Sequence, residues 1–505
     1  MEELVRTEEL GTDDEQEDHG SFWDSSLNIS SLRDDYRAGI KPQDVAHAIY
    51  QRIEAFKETQ PSIWIHLQSL DDILQDATKV SEHWPDENDR PPLWGIPFSV
   101  KDSIDVAGIQ TTVGCPAIAF TPSSSAPIYQ KCIDAGGIFI GKTNMEQLAT
   151  GMTGCRSPYG TLHSTFSKDH IVGGSSSGSA VSVSEGLVSF SIGSDTAGSI
   201  RIPALFNGLV GFKPTKGTVS AKGVSPACLH QDCVSFLTLT TADAEIVWDI
   251  CKGYDKEDHF AKDYMNTSIR SKVLESLNYK FPSSQKLTFR FGTPPTQALA
   301  VCSPVYRQMF SQTVNALQTA GGRLVNLDWA PFAAANELLY GSFVLERLTT
   351  LPDGWFEEKK HLLHPITRQV LESALARQTT AVDLFRDLHK QAECKRAVAD
   401  ILKTEEDGEI TVIIVPTAPS HPTIDEVEQD PLETNVKLGT FAHFANVLDL
   451  VGIAMPCGTY EKEGRDGKSL RLPFGITILA ECGLDSHLLH LSKQLEDTLI
   501  DSGQE

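Results

Sequence analysis

The tightest constraint on this chain is the stretch from Gly173 to Gly217, GGSSSGSAVSVSEGLVSFSIGSDTAGSIRIPALFNGLVGFKPTKG. Two Gly/Ser clusters, Gly173 to Ser179 and Ser194 to Ser199, flank a short apolar run from Leu187 to Ile192 that alternates as a strand. Regular structure therefore brings two loops together. Taken singly, each cluster reads equally well as a flexible linker or a phosphate-binding turn. A P-loop would need G-x-x-x-x-G-K-[ST], and no lysine follows these glycines at that offset.

The rest of the chain alternates helix and strand. Pro42 suits the first turn of a helix, and a segment from Ser31 pairs with it as a scaffold hairpin. Ser62 to Leu67 reads as a strand, followed by a helix capped by Ser69. The segment LWGIPFSVKDSIDVAG delivers Lys101 at the end of a strand, where open α/β sheets put their working side chains. SAPIYQKCIDAGGIFIGKTN reads as helix, Gly-Gly break and strand, the repeat that feeds a parallel sheet. EQLATGMTGCRSPYG is a polar, glycine-punctuated loop fit for a pocket wall, with Thr150 and Gly151 as candidate substrate contacts. Strands at Lys286 to Pro294 and at RLVNLDW bracket a helix from Ser303 to Thr319. Residues 331–403 are helical in pattern and read as a substrate-side insertion, with Tyr340 and Arg347 two turns apart in LLYGSFVLERL. The strands EITVIIVPTAP, GIAMPCG and LPFGITILA and a helix from Asp485 follow. The expected fold is α/β, one large unit over residues 29–505 with a mixed, mostly parallel central sheet flanked by helices.

Charge narrows the partners. A formal net charge of −25 repels nucleic-acid phosphates and anionic membrane surfaces. Part of it sits in residues 1–28, which read as a disordered acidic tail. The N-terminus lacks the basic and apolar blocks of a secretory signal, and no window holds ~18 uninterrupted apolar residues. A cytoplasmic location follows as an expectation, and ten scattered cysteines without a CxxC pair fit reduced thiols. The HxxH pairs His361/His364 and His487/His490 lack an acidic partner at HExxH spacing and read as solvated or capping residues, so neither a metal nor a cofactor is expected.

An amide hydrolase needs a nucleophile, a base and donors for an oxyanion. Ala197 and Gly198 let the backbone turn sharply before Ser199, so successive N–H groups can converge on one anion with Ser199 as the exposed hydroxyl. Ser175, ahead of a helix expected from Ser179, is the natural proton relay. No histidine lies in either loop. A strand-end lysine buried among hydroxyls would have its charged form disfavoured, which makes Lys101 the candidate base. Asp195 and Arg201, flanking Ser199, read as an ion pair that braces the loop.

These residues resemble the amidase signature family: GGSSSGSA, DTAGSIRIP, GLVGFKPTKG and the upstream lysine in GIPFSVKD. The resemblance implies a serine, cis-serine, lysine triad on Ser199, Ser175 and Lys101, with an oxyanion hole from the backbone of Thr196, Ala197 and Gly198. TNMEQLATGMTGCRSPYG, HPITR, VPTAPSHPTIDEVEQDP and LGTFAHFANVLDL are further similar to the allophanate hydrolase subgroup, whose substrate is a small ureide bearing a carboxylate. In that subgroup an equivalent tyrosine and arginine hold the substrate, which implies Tyr340 and Arg347 here. This sequence reads YGSFVLER where relatives usually read Y-x-x-P-W-x-x-E-R.

The resemblance also implies a functional link to a urea carboxylase, which is fused to the amidase in fungal forms. This chain carries no biotin-type MKM motif and reads as the amidase half alone, acting on a small molecule, with a homodimer allowed. Two other functions share these residues: an amidase of another specificity, toward biuret-like or other small amides, and a glutamine-hydrolysing amidotransferase subunit.

Overall fold

The computed structural model describes residues 25–262, 279–282, 285–404, 409–464 and 467–501. Its helices begin where local chemistry favours them. Pro42 opens the helix Pro42–Phe56, where its missing N–H leaves no bond unmade. Ser69 accepts from the Asp72 N–H to cap Leu70–His83, with Asp71 and Asp72 in the first turn. Ser303 caps Pro304–Thr319 in the same way.

The expected acidic tail falls mainly on residues 1–24, outside the described residues, but packing starts before residue 29. Leu27 is buried, and the Asn28 side chain accepts from the Ser31 N–H to cap Ile29–Arg37.

The strands are β1 (Trp64–Leu67), β2 (Pro97–Lys101), β3 (Ile138–Thr143), β4 (His163–Ser164), β5 (Ser167–Ile171), β6 (Phe190–Asp195), β7 (Val210–Lys213), β8 (Cys233–Thr238), β9 (Phe289–Gly292), β10 (Arg323–Leu324), β11 (Ile410–Pro416), β12 (Val451–Glu463) and β13 (Ser469–Ala480). Eleven of them form one sheet in the order β1-β3-β2-β6-β8-β7-β12-β13-β11-β9-β10, and β4 pairs with β5. The expected mixed sheet is there, with four parallel pairings and six antiparallel ones in the described residues, β1 with β3 among the latter. Parallel ladders join β3-β2-β6 and β11-β9-β10. Its middle, from β6 to β11, is antiparallel.

Several expected boundaries move. The strand expected from Leu187 runs instead over Phe190–Asp195, because Leu187 and Val188 both donate to Ser182 O and close the turn after the helix Ser177–Ser184. That helix starts two residues before the expected Ser179. RLVNLDW pairs only at Arg323–Leu324, since β10 is an edge strand with β9 as its single neighbour.

What positions the site is the parallel pair β2 and β6, in register at Ser99↔Ser191 and Val100↔Ile192. Phe98 and Phe190, both fully buried, stack across it with centroids 5.4 Å apart and planes 8° from parallel. Truncating either ring would cost about 3–5 kcal/mol. Both strands end at one sheet edge, β2 in Lys101 and β6 in Asp195, and the buried helix Ser177–Ser184 packs against both. Helices expected over 331–403 are present, from Ala330–Leu338 to Ala381–Ile401, and the segment between them meets the turn that follows β3, where Arg347 Nη1 donates to Ala149 O and the His364 N–H to Gln147 Oε1.

Candidate active site

Lys101 ends β2 with no exposed surface, and its Nζ lies 2.7 Å from Ser175 Oγ, 3.2 Å from Ser194 Oγ and 3.5 Å from Ser194 O. Its neighbour Asp102 turns away, accepting from Thr112 Oγ1 at 2.5 Å and pairing with the buried Lys142 at 3.3 Å. Two buried lysines are thus sorted by their surroundings: Lys142 faces a carboxylate, Lys101 faces hydroxyls. Burial pushes the Lys101 ammonium down to about 7, against the pull of Asp232, Asp195 and Glu146 in the opposite direction.

The Gly174–Ser175 peptide is cis. Ser175 O accepts from the Glu146 N–H at 3.0 Å, and the Ser176 N–H donates to Ser199 O at 3.3 Å, so the two Gly/Ser loops are joined directly. Ser199, expected as an exposed hydroxyl, is instead almost wholly buried.

The turn that carries Ser199 is organised by one carboxylate. Asp195 Oδ1 accepts from the Gly198 N–H at 2.8 Å, and Oδ2 accepts from the Ile200 N–H at 3.2 Å. Arg201 closes the pair with Nη2 2.9 Å from Oδ1 and Nε 3.1 Å from Oδ2, both side chains fully buried. This is the brace expected from the sequence. Arg201 reaches on to Ala442 O at 3.1 Å and Asn446 Oδ1 at 2.8 Å. Gly198 has φ 121°, and a Cβ there would lie 2.9 Å from Ala442 Cβ. Because the Gly198 N–H is bound to Asp195, it differs from the expectation that it points at an oxyanion. Thr196 Oγ1 donates to Asp232 Oδ1 at 2.5 Å, and Asp232 also gathers the N–H groups of Ala227 and Cys228.

The four expected substrate contacts come together. Thr150, Gly151, Tyr340 and Arg347 line one cavity of about 240 Å³. The helical spacing read for the last two differs from the structure: Tyr340 sits in a turn between Ala330–Leu338 and a 3-10 helix, Phe343–Thr350, that carries Arg347. Arg347 Nη1 donates to Leu148 O (3.3 Å), Ala149 O (3.2 Å) and Thr150 Oγ1 (3.1 Å). Tyr340 OH accepts from Asn435 Nδ2 at 2.8 Å, and its ring meets His443 edge-on at 4.9 Å. Gly151 has φ 146°, and a Cβ would come within 2.0 Å of Glu146 Oε2.

Sequence reasoning missed Glu146, Ser194, Asp232 and Asn435. Ser194 stood inside the second cluster, but nothing in a run of hydroxyls tells which one faces Lys101. Glu146 lay in the loop read as a pocket wall; its Oε1 accepts from Thr153 Oγ1 (2.7 Å) and the Gly154 N–H (2.7 Å). Of the HxxH pairs, His364 Nδ1 accepts from the Ile366 N–H as a helix cap, and His490 Nε2 bonds Gln285 O at 2.6 Å.

The sequence model of the Amidase family matches residues 44–489, a span that holds Lys101, Ser175, Ser199, Tyr340 and Arg347. This chain belongs to the amidase family. It is a hydrolase of amide C–N bonds. The amidase is 34% identical over 449 residues to the urea amidolyase of Saccharomyces cerevisiae, covering 87% of this chain and 22% of that protein. It spans about a fifth of the length of the urea amidolyases it matches. Its structure is similar to that of Kluyveromyces lactis allophanate hydrolase, with a TM-score of 0.79 at 30% identity over 94% of this chain and 72% of that one. Indoleacetamide hydrolase of Pseudomonas savastanoi is 28% identical, covering 81% of this amidase and 84% of that enzyme. Among the described residues no helix is long and apolar enough to cross a membrane.

Proposed function

We propose that this amidase hydrolyses allophanate, urea-1-carboxylate, at its terminal C–N bond and releases ammonia. The observation that carries the reading is the cavity on which Tyr340 and Arg347 meet Thr150 and Gly151. A guanidinium offers five donors in a fixed fork. One nitrogen of Arg347 is spent on the 148–150 turn, which orients the rest of the fork toward a carboxylate while Tyr340 OH serves the ureide. The likeness to K. lactis allophanate hydrolase supports the same substrate.

In this reading neutral Lys101 takes a proton from Ser175, which takes one from Ser199 as its Oγ attacks the terminal carbonyl carbon. The developing oxyanion lodges against the N–H groups of Thr196 and Ala197, while Gly198, bound to Asp195, holds their turn. The C–N bond breaks, the proton returns through Ser175 to the leaving nitrogen, and ammonia departs. Water, deprotonated by the same relay, then frees Ser199 from the acyl-enzyme. Urea carboxylation is the reaction class that supplies the substrate, so the enzyme would work beside a urea carboxylase in the cytoplasm.

Ammonia release from allophanate, biuret and glutamine, measured beside Ser199→Ala, tests this. The expected order puts allophanate first, with activity abolished in the variant. Normal turnover by Ser199→Ala would sink the nucleophile, and preference for glutamine or biuret would sink the substrate.

A further inference from the structure

The cavity that holds Tyr340 and Arg347 carries a second and a third arginine, Arg156 and Arg377, and among the described residues no carboxylate lines it. The three differ in depth. Arg156 is buried, with Nη1 donating to Thr150 O at 3.0 Å and Nη2 to Pro431 O at 2.7 Å. Arg347 is half-buried on its 3-10 helix, and Arg377 is exposed, just beyond the end of the helix Pro365–Ala376. Arg377 Nη1 donates to Tyr340 O, which anchors its guanidinium at the turn bearing the tyrosine.

The surrounding protein makes this arrangement meaningful. A chain with a formal net charge of −25 repels a small anion from most approaches. The nearest carboxylates stand outside that lining, Glu146 behind the Gly151 wall and Asp387 on the Ser342 N–H, and a cation at the rim opposes their field over about a Debye length, ~8 Å at physiological salt. Arg156 and Arg347 are tied to backbone oxygens at depth, where they can hold an anion that has already entered. Only Arg377 stands where it meets an anion in solvent.

We infer that Arg377 is the capture residue of this site, drawing a carboxylate-bearing substrate past the acidic surface and toward Arg347. The inference rests on the allophanate reading above, in which the substrate is an anion.

Allophanate and biuret make a matched pair, since biuret replaces the carboxylate by a neutral amide. The test is kcat/KM for both substrates at about 10 mM and about 500 mM salt, with the wild type, Arg377→Gln and Arg377→Lys. Steering of this kind supports a loss on the order of three- to ten-fold for allophanate in Arg377→Gln at low salt. That loss should shrink at high salt, exceed any loss with biuret and be largely recovered in Arg377→Lys. Equal losses for both substrates, insensitive to salt, would assign Arg377 to bracing the Tyr340 turn and overturn capture. No loss at all would overturn it too. A wild type that turns over biuret but not allophanate overturns the substrate reading and this inference with it, an outcome visible before any variant is made.

Discussion

Lys101 Nζ and Ser175 Oγ lie 2.7 Å apart, and neither side chain has exposed surface. A lysine in that position is useful as a base only when uncharged. Burial brings its titration down to about 7, so it is mostly protonated at pH 6 and mostly neutral at pH 8. Activity should therefore rise with pH along an acid limb centred near 7. A pH profile of kcat/KM checks this, and a limb near 5 or 9 would remove Lys101 from the role. Lys101→Arg, which cannot deprotonate in this range, should lose at least about a thousand-fold in kcat.

Asp232 offers a way to move that limb. Its carboxylate is the foremost of the charges that raise the Lys101 titration against burial, and it accepts from Thr196 Oγ1 at 2.5 Å. Asp232→Asn keeps an oxygen for Thr196 but removes the charge, so neutral Lys101 becomes easier to form. The acid limb should shift to lower pH, with only a modest loss in kcat at pH 8. A shift to higher pH would contradict the assignment.

Gly151 tests the wall between the substrate cavity and the relay loop. A methyl group there would come within 2.0 Å of Glu146 Oε2, at a φ of 146° that side chains rarely adopt. Glu146 also holds Ser175 O through its own N–H. Gly151→Ala should therefore displace the relay as well as the cavity, lowering kcat by more than ten-fold on allophanate and biuret alike, on the order expected when a reacting group moves by about 1 Å. Kinetics in which only KM changes would show that the two loops are uncoupled.

How far the site could be read from sequence follows the range of the interactions involved. Lys101, Ser175 and Ser199 stand in local patterns, a strand end and two glycine-punctuated turns, and local geometry leaves a mark in local sequence. The Asp195–Arg201 pair was legible for the same reason, being six residues apart. Asn435 and Asp232 were not, because each reaches the site across a long chain separation and looks like any polar residue on its own segment. The Gly198 N–H shows a different limit: sequence marks a turn that can form a nest, but only the fold shows that Asp195 already occupies one donor. Tyr340 and Arg347 were correctly associated and wrongly placed on one helix, since a pattern of apolar spacing does not reveal where an α-helix breaks into a 3-10 turn.

The Asp195–Arg201 pair gives the last prediction. Burial alone would raise the Asp195 carboxyl, yet Arg201, Lys213 and the Gly198 N–H outweigh it and hold it at about 2. An aspartate depressed in this way stabilises the fold above its ordinary value near 4, and that stability is lost as the pH falls toward about 2. Arg201→Met removes the main partner and leaves a buried charge with little compensation, which should cost about 3–5 kcal/mol at pH 7. The variant's Asp195 would then titrate upward, since burial becomes the dominant influence, so its protonated form is preferred and part of the deficit should disappear between pH 7 and pH 4. Denaturant midpoints for wild type and variant at those two values check the sign: the gap should narrow in acid. A gap that is constant with pH would mean that Arg201 contributes through its contacts to Ala442 and Asn446 rather than through the charge on Asp195.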